Sequence, residues 1–166
     1  MKKIIFFSLI FILISIVVFA ADPAEGFWLS IDEKSGKATG GWEIFVRNNV
    51  LYGRVLSIAD YPQDAIAVNC RESYRGFPVP GKVNEMPVVG TTWIYGLTSD
   101  KPGVWTGGNV LDAEKGNLYR AKITFRAADG NKFKADTLEM RGEIGLGIGR
   151  SQYWRKATRE EASSIR

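Results

Sequence analysis

Short runs in which apolar and polar residues alternate recur from Gly26 to Arg155, and turn-forming residues separate them. An alternation with period two puts successive side chains on opposite faces of a strand. We count about eight to ten such runs, each flanked by Gly, Asp, Asn or Pro, and find no long amphipathic helix pattern. Many short strands at this spacing are typical of an antiparallel barrel or sandwich. The sequence therefore predicts an all-β domain.

The clearest hairpin runs from Trp42 to Ile58 and turns at Asn48-Asn49, because asparagine tolerates the left-handed backbone of a two-residue turn. Pairing outward from this turn sets Ile44 opposite Gly53 and Glu43 opposite Arg54. One face of the hairpin is then apolar and is expected to form core. That face consists of Trp42, Ile44, Val46, Leu51, Gly53 and Val55.

The stretch Gly145–Arg155 is the last strong strand signal, and Gly26–Ile31 is the first. These two ends favour a closed barrel in which the first and last strands pair. By alternation, Arg150 shares a face with Gln152 and Trp154. The glycines of Gly145-x-Gly147-x-Gly149 resemble a nucleotide loop, but no helix pattern follows them, so a phosphate cradle is excluded.

A charged start and an apolar run over residues 1–20 indicate a secretory signal peptide with cleavage after Ala20. The apolar run is shorter than the roughly 20 residues that a spanning helix needs, so an uncleaved anchor is disfavoured. The expected parts are therefore a signal peptide over 1–20, a barrel domain over 21–156 and a polar, dispensable tail over 157–166. Export, most simply to the periplasm, is the expectation.

Composition excludes several classes of function. Without Lys2 and Lys3, 20 basic residues face 18 acidic ones, and they are scattered, which argues against nucleic acid as a partner. The chain has no histidine, which removes histidine-based catalysis and the usual imidazole metal sites. The carboxylates Asp112, Glu114, Glu139 and Glu143 fall near turns or on outward faces. We therefore expect no enzyme activity, catalytic residue, metal site or cofactor.

Two further features leave alternatives open. The single cysteine, Cys70, is either buried and inert or paired with another chain, and the first reading is favoured. Ala59–Gly90 carries four prolines and no sustained period, so we expect one long irregular loop there. Loops of this length tend to be functional, and this one is expected to cover the entrance of the barrel.

Several short motifs together resemble the bacterial domain of unknown function 2147 family. They are Gly26-Phe27-Trp28, Leu51–Val55, Trp105–Asp112, Gly116–Tyr119, Arg141-Gly142 and Gly149–Arg155. Ala113 departs from the proline that the family tends to have, and Lys132–Thr137 is longer than its usual hairpin. The resemblance implies an exported, up-and-down, lipocalin-like barrel of the calycin kind, without an established activity.

Gly26-x-Trp28 is also similar to the lipocalin signature, in which the tryptophan packs under an arginine of the final strand. This resemblance makes Trp28, Arg150 and Trp154 the expected closure of the barrel, with Arg150 favoured over Arg155 by alternation. A guanidinium over an indole is a cation–π contact of about 0.5–2 kcal/mol. Its expected role is architectural.

An eight-stranded barrel either fills with side chains or holds one small ligand. The inward glycines Gly53, Gly107 and Gly108 favour some empty volume. The leading hypothesis is therefore an exported protein that binds a small, partly apolar molecule inside the barrel. The alternative is a non-catalytic envelope interaction protein with a filled barrel that contacts partners through the long loop. The candidate ligand-binding residues are Trp42, Ile44, Gly53, Trp93, Tyr95, Trp105 and Tyr119.

Overall fold

The computed structural model describes residues 21–166, with the exception of residues 146 and 147. The predicted signal peptide over 1–20 and Gly147 of the glycine motif lie outside the described residues.

Eight antiparallel strands form a closed barrel in which each strand pairs with its sequence neighbours and the last strand pairs with the first. This confirms the all-β, up-and-down barrel. The strands are β1 (Gly26–Ile31), β2 (Ala38–Arg47), β3 (Val50–Ile58), β4 (Thr92–Lys101), β5 (Val104–Leu111), β6 (Leu118–Arg126), β7 (Thr137–Gly145) and β8 (Ile148–Ala157). A short 3-10 turn at Val83–Glu85 and one helix, α1 (Arg159–Ser163), complete the regular structure of the described residues.

The β2–β3 hairpin has the predicted register. Asn48 and Asn49 have φ angles of 52° and 60°, as a two-residue turn with left-handed geometry requires. Ile44 pairs with Gly53, and Glu43 pairs with Arg54 and forms an ion pair with it. The alternation of the sequence thus determines which face of the hairpin is buried.

Strand β4 departs from simple alternation. Leu51, Gly53 and Arg54 of β3 pair with Leu97, Ile94 and Thr92 of β4, so β4 contains two extra residues over this span. Such bulges bend a strand and change the face to which its side chains point. Ile94 and Leu97 join the barrel core, whereas Trp93 and Tyr95 join a separate cluster.

The molecule therefore has two apolar clusters. The first fills the barrel around Trp28, Leu51, Trp105 and Leu138. The second lies where residues 59–91 pack on the barrel, and it joins Tyr74, Val83 and Met86 of that segment to Trp93, Tyr95 and Leu111 of the strands. The long loop thus has a core of its own.

The tail is ordered rather than loose. Helix α1 starts with a capping box between Thr158 and Glu161, and Ala162 is fully buried. The Ser57 hydroxyl donates a 2.7 Å hydrogen bond to the Ala162 carbonyl. A side chain at Gly41 would lie 1.7 Å from the same oxygen, so this glycine allows the helix to approach the sheet. These contacts argue against the expectation that residues 157–166 are dispensable.

Candidate functional site

Trp28 lies at the closed end of the barrel. Its indole nitrogen donates a 2.9 Å hydrogen bond to the Ala24 carbonyl, and the ring is fully buried. The Lys156 ammonium lies 4.4 Å from the ring centroid and donates to the Glu25 carbonyl at 3.0 Å. Asp22 accepts from the Trp105 indole at 3.0 Å. Residues 22–25 thus seal this end.

The prediction that Arg150 covers Trp28 is wrong. Trp28 pairs with Lys156 across the β1–β8 seam, and Arg150 lies six residues earlier on β8. At about 3.3 Å per residue this is about 20 Å away. Lys156 and Arg150 share the same face of β8. The predicted face of the residue that covers Trp28 was therefore correct, whereas its predicted position along the strand was wrong.

The third predicted closure residue, Trp154, lies between the two ends. It is buried and stacks on Trp42, with ring centroids 5.0 Å apart. Its indole nitrogen donates to the Gln152 side-chain oxygen at 3.3 Å, and the Trp42 indole donates to Ser30 at the same distance. This stacked pair separates the packed lower half of the barrel from the space above it.

Above the Trp42–Trp154 pair lies a cavity of about 1020 Å³. It is lined by apolar side chains of the strands, among them Val55, Val110 and Met140, and by several residues of the long loop, among them Ile66 and Val68. Its mouth is at the end of the barrel where β3 runs into the long loop and β5 turns into β6. The open end is therefore opposite Trp28.

The inward glycines do not account for this volume. A Cβ at Gly53 would lie 2.8 Å from Ile94 Cδ1 and 2.9 Å from Ile44 Cδ1, so that space is already filled. A Cβ at Gly108 would lie 2.4 Å from the Tyr95 carbonyl oxygen, and Gly107 has a φ of +79° at a bulge. These glycines serve close packing and strand bending rather than an empty interior.

Of the seven predicted ligand-binding residues, three line the cavity and four do not. Trp42, Trp93 and Tyr119 line the cavity, and their role in binding stays a prediction. The other four do not line it and are corrected: Ile44 and Trp105 belong to the lower core, Gly53 packs between Ile44 and Ile94, and Tyr95 belongs to the cluster beneath the loop. The bulges in β4 explain the position of Tyr95.

Other residues that line the cavity were not predicted from the sequence. Met140, Gly142 and Gln152 face the cavity from β7 and β8. Their inward faces could be read from alternation with Leu138 and Trp154, but nothing in the sequence showed that the barrel is hollow at their level. Alternation thus predicted the strand face of these residues but not their level along the barrel axis.

The long loop is fixed to the β5–β6 turn beside the mouth. The Tyr61 hydroxyl donates to Glu114 at 3.0 Å, and the Asn69 amide donates to the Glu114 carbonyl at 2.8 Å. The Tyr74 hydroxyl donates to the Gly116 carbonyl at 2.8 Å. The loop residues at the mouth are therefore held in place by named polar contacts.

An apolar rim surrounds the mouth. It consists of Tyr61, Ile66, Val68, Ile144 and Ile148, which all line the cavity and are all exposed, Ile144 by 70%. Exposed apolar side chains grouped around an opening are typical of an interaction or ligand-entry surface.

Burial perturbs two titratable groups in the cluster beneath the loop. Burial raises the pKa of the Cys70 thiol, which opposes formation of the reactive thiolate. Burial also raises the pKa of the Tyr95 hydroxyl, which has no hydrogen-bond partner among the described residues. Over residues 21–145 and 148–166 no cluster of three or more cysteine or acidic side chains could hold a metal ion. The same residues contain no helix long and apolar enough to cross a membrane.

A closed eight-stranded up-and-down barrel with one sealed end and one open cavity defines a lipocalin-like protein. One solved structure with the same fold is described as "Protein HP1028 from the human pathogen Helicobacter pylori belongs to the lipocalin family". It matches with a TM-score of 0.62 and 16% identity, over 82% of this chain and 84% of that one.

Residues 26–156 match the family described as "Uncharacterized protein conserved in bacteria (DUF2147)". The chain belongs to this family, as its motifs predicted. No curated protein matches the chain significantly.

Proposed function

We propose that the protein is an exported, non-enzymatic binding protein that holds one small, partly apolar molecule in the open half of the barrel. The cavity above the Trp42–Trp154 pair carries this proposal. Pockets of about 300–1,000 Å³ lined mainly by apolar side chains are typical of small-molecule sites. The cavity is of that size and of that character.

Titration with a neutral fluorescent probe, N-phenyl-1-naphthylamine, tests the proposal. We expect saturable binding by the protein that begins at Ala21, with a blue-shifted emission. Gly142→Leu should abolish binding, because Gly142 faces the cavity and a Cβ there meets only ordinary contacts, the nearest at 3.6 Å. Lys122→Leu is the matched control, since Lys122 is exposed on the neighbouring strand β6. Binding that survives in Gly142→Leu would place the probe elsewhere.

Export is part of the proposal and rests on the sequence of residues 1–20. Cell fractionation followed by N-terminal sequencing should find the chain in the periplasm with Ala21 as its first residue. A full-length chain in the cytosol would refute this part alone.

The apolar rim favours a second candidate, in which the protein docks on a partner through the mouth. Ile66 and Val68 are exposed by 42% and 68% in the loop that the sequence suggested for this role. Replacing both by serine should then abolish a partner interaction and leave probe binding unchanged. If the substitutions change only probe uptake, the rim serves ligand entry instead.

A further inference from the structure

Three side chains with hydrogen-bond donors line the cavity from β6 and β8, on either side of β7: Tyr119, Arg150 and Gln152. Gly142 of β7 pairs with Arg150 of β8, and Met140 pairs with Gln152. Tyr119 lies against Gly142, with the Tyr119 Cβ 3.6 Å from the position that a Cβ at Gly142 would occupy. The missing side chain at Gly142 therefore leaves a gap that Tyr119 enters from one side and Arg150 borders from the other.

Two of these donor groups have no partner among the described residues, and the third has only a weak one. Gln152 accepts a hydrogen bond from Trp154 through its oxygen, which leaves its NH₂ group to donate. Within the described residues neither that NH₂ group nor the Tyr119 hydroxyl has a hydrogen-bond partner. The Arg150 guanidinium lies 3.7 Å from Glu33, and both side chains are largely exposed, 68% and 45%. An exposed pair at this distance is weak and yields readily to a better acceptor.

The acidic groups at the mouth are partly engaged already. The Asp112 carboxylate accepts the backbone N–H groups of Glu114 and Lys115, and Glu114 accepts from Tyr61. Asp60 also lines the mouth. The polar groups beside Gly142 that are available to a ligand are thus hydrogen-bond donors. A cluster of donors that includes a guanidinium favours a negatively charged oxygen ligand.

Below the donors the wall becomes apolar. Met140 and Val110 lead down to the stacked rings of Trp42 and Trp154, which close the floor. A ligand with its polar group beside Arg150 would therefore place an apolar chain along this wall. The polar group would stay near water at the mouth.

We propose that the ligand is an amphiphile with a single alkyl tail and an anionic head, bound by Tyr119, Arg150 and Gln152 with its tail toward Trp42 and Trp154. This inference rests on the proposed binding function and specifies its ligand class. Charge-assisted hydrogen bonds select the anion, and the cavity wall selects the tail.

Competition against the neutral probe tests the inference with three ligands of one chain length: dodecanoate, dodecanol and dodecylammonium. Two or three charge-assisted bonds should make dodecanoate at least about tenfold tighter than dodecanol. Arg150→Met should weaken dodecanoate much more than dodecanol and thereby remove this preference. Tyr119→Phe should reduce it by about threefold, as expected for one hydrogen bond.

Arg155→Met is the matched control, because Arg155 lies on the same strand, exposed and outside the cavity lining, and it should keep the preference. Equal affinity for dodecanoate and dodecanol, or tighter binding of dodecylammonium, would overturn the inference and leave the binding function standing. If the probe binds to none of the proteins and no ligand shifts their thermal stability, the binding function itself fails.

Discussion

Lys156 and Trp28 are in contact at the sealed end, and the energy of this contact is measurable. Trp28→Leu and Lys156→Met should destabilise the protein non-additively, with a coupling of about 0.5–1 kcal/mol, since the ammonium lies over the indole ring. Trp28→Leu combined with Arg150→Met should be additive, because Arg150 is far along the strand. Urea unfolding of the six proteins completes both cycles. Coupling between Trp28 and Arg150 would mean that the β1–β8 register is different.

Tyr95 carries a buried hydroxyl that has no hydrogen-bond partner in the part of the chain that the structure describes. An unsatisfied buried polar group costs about 1–3 kcal/mol, so Tyr95→Phe should leave stability unchanged or raise it. Burial also keeps the folded-state pKa above the unfolded value of about 10. Above that pH the unfolded chain loses the proton first, and stability falls as pH rises.

Urea unfolding from pH 8 to 11 checks this dependence. Tyr95→Phe should show a shallower loss of stability above pH 10 than the parent protein. A Tyr95→Phe protein that is less stable by more than about 1 kcal/mol would mean that the hydroxyl has a partner.

The closure residues show how far sequence reasoning reaches at this scale. Alternation predicted that Arg150, Gln152 and Trp154 share a face, and this is the inward face at the cavity. It could not say which residue of β8 meets Trp28, because β1 and β8 are joined by no turn that fixes their offset. The arginine expected from the lipocalin signature is a lysine here.

At the scale of elements, helix α1 depends on Gly41. A Cβ at this position would lie 1.7 Å from the Ala162 carbonyl, so Gly41→Ala must displace the helix. We expect a loss of about 1–3 kcal/mol, as for other overpacked contacts. Gly142→Ala is the control, since its Cβ would meet only contacts of 3.6 Å or more.

Thermal unfolding and limited proteolysis of the C-terminal residues report on both variants. Increased cleavage after Arg159 in Gly41→Ala alone is the expected result. Equal stability of the two variants would mean that the tail does not pack on β2.

Turn chemistry explains which elements could be predicted. The Asn48-Asn49 turn fixed the β2–β3 register residue by residue. The extra residues in β4 could not be predicted from the sequence. Trp93, Ile94 and Tyr95 are consecutive apolar residues, so no change in the alternation of polar and apolar residues marks the bulge. Residues 59–91 have no period, so their core around Tyr74 and Met86 was visible only in the structure.

At the scale of the molecule, the barrel divides into a packed half and a hollow half. The packed half holds Trp28, Ile44 and Trp105, and the hollow half begins above Trp42 and Trp154. Composition could not distinguish a filled barrel from a hollow one, because both use the same aromatic residues. The distinction depends on depth along the strands, which alternation does not encode.

Native mass spectrometry of the protein, purified from bacterial cells that produce it, shows directly whether the open half of the barrel holds a ligand. We expect one bound molecule of low mass per chain, released by organic extraction and lost in Gly142→Leu, whereas Lys122→Leu retains it. An unmodified mass for the folded parent protein, with no ligand taken up from added amphiphiles, would contradict the claim that the open half of the barrel is a binding site.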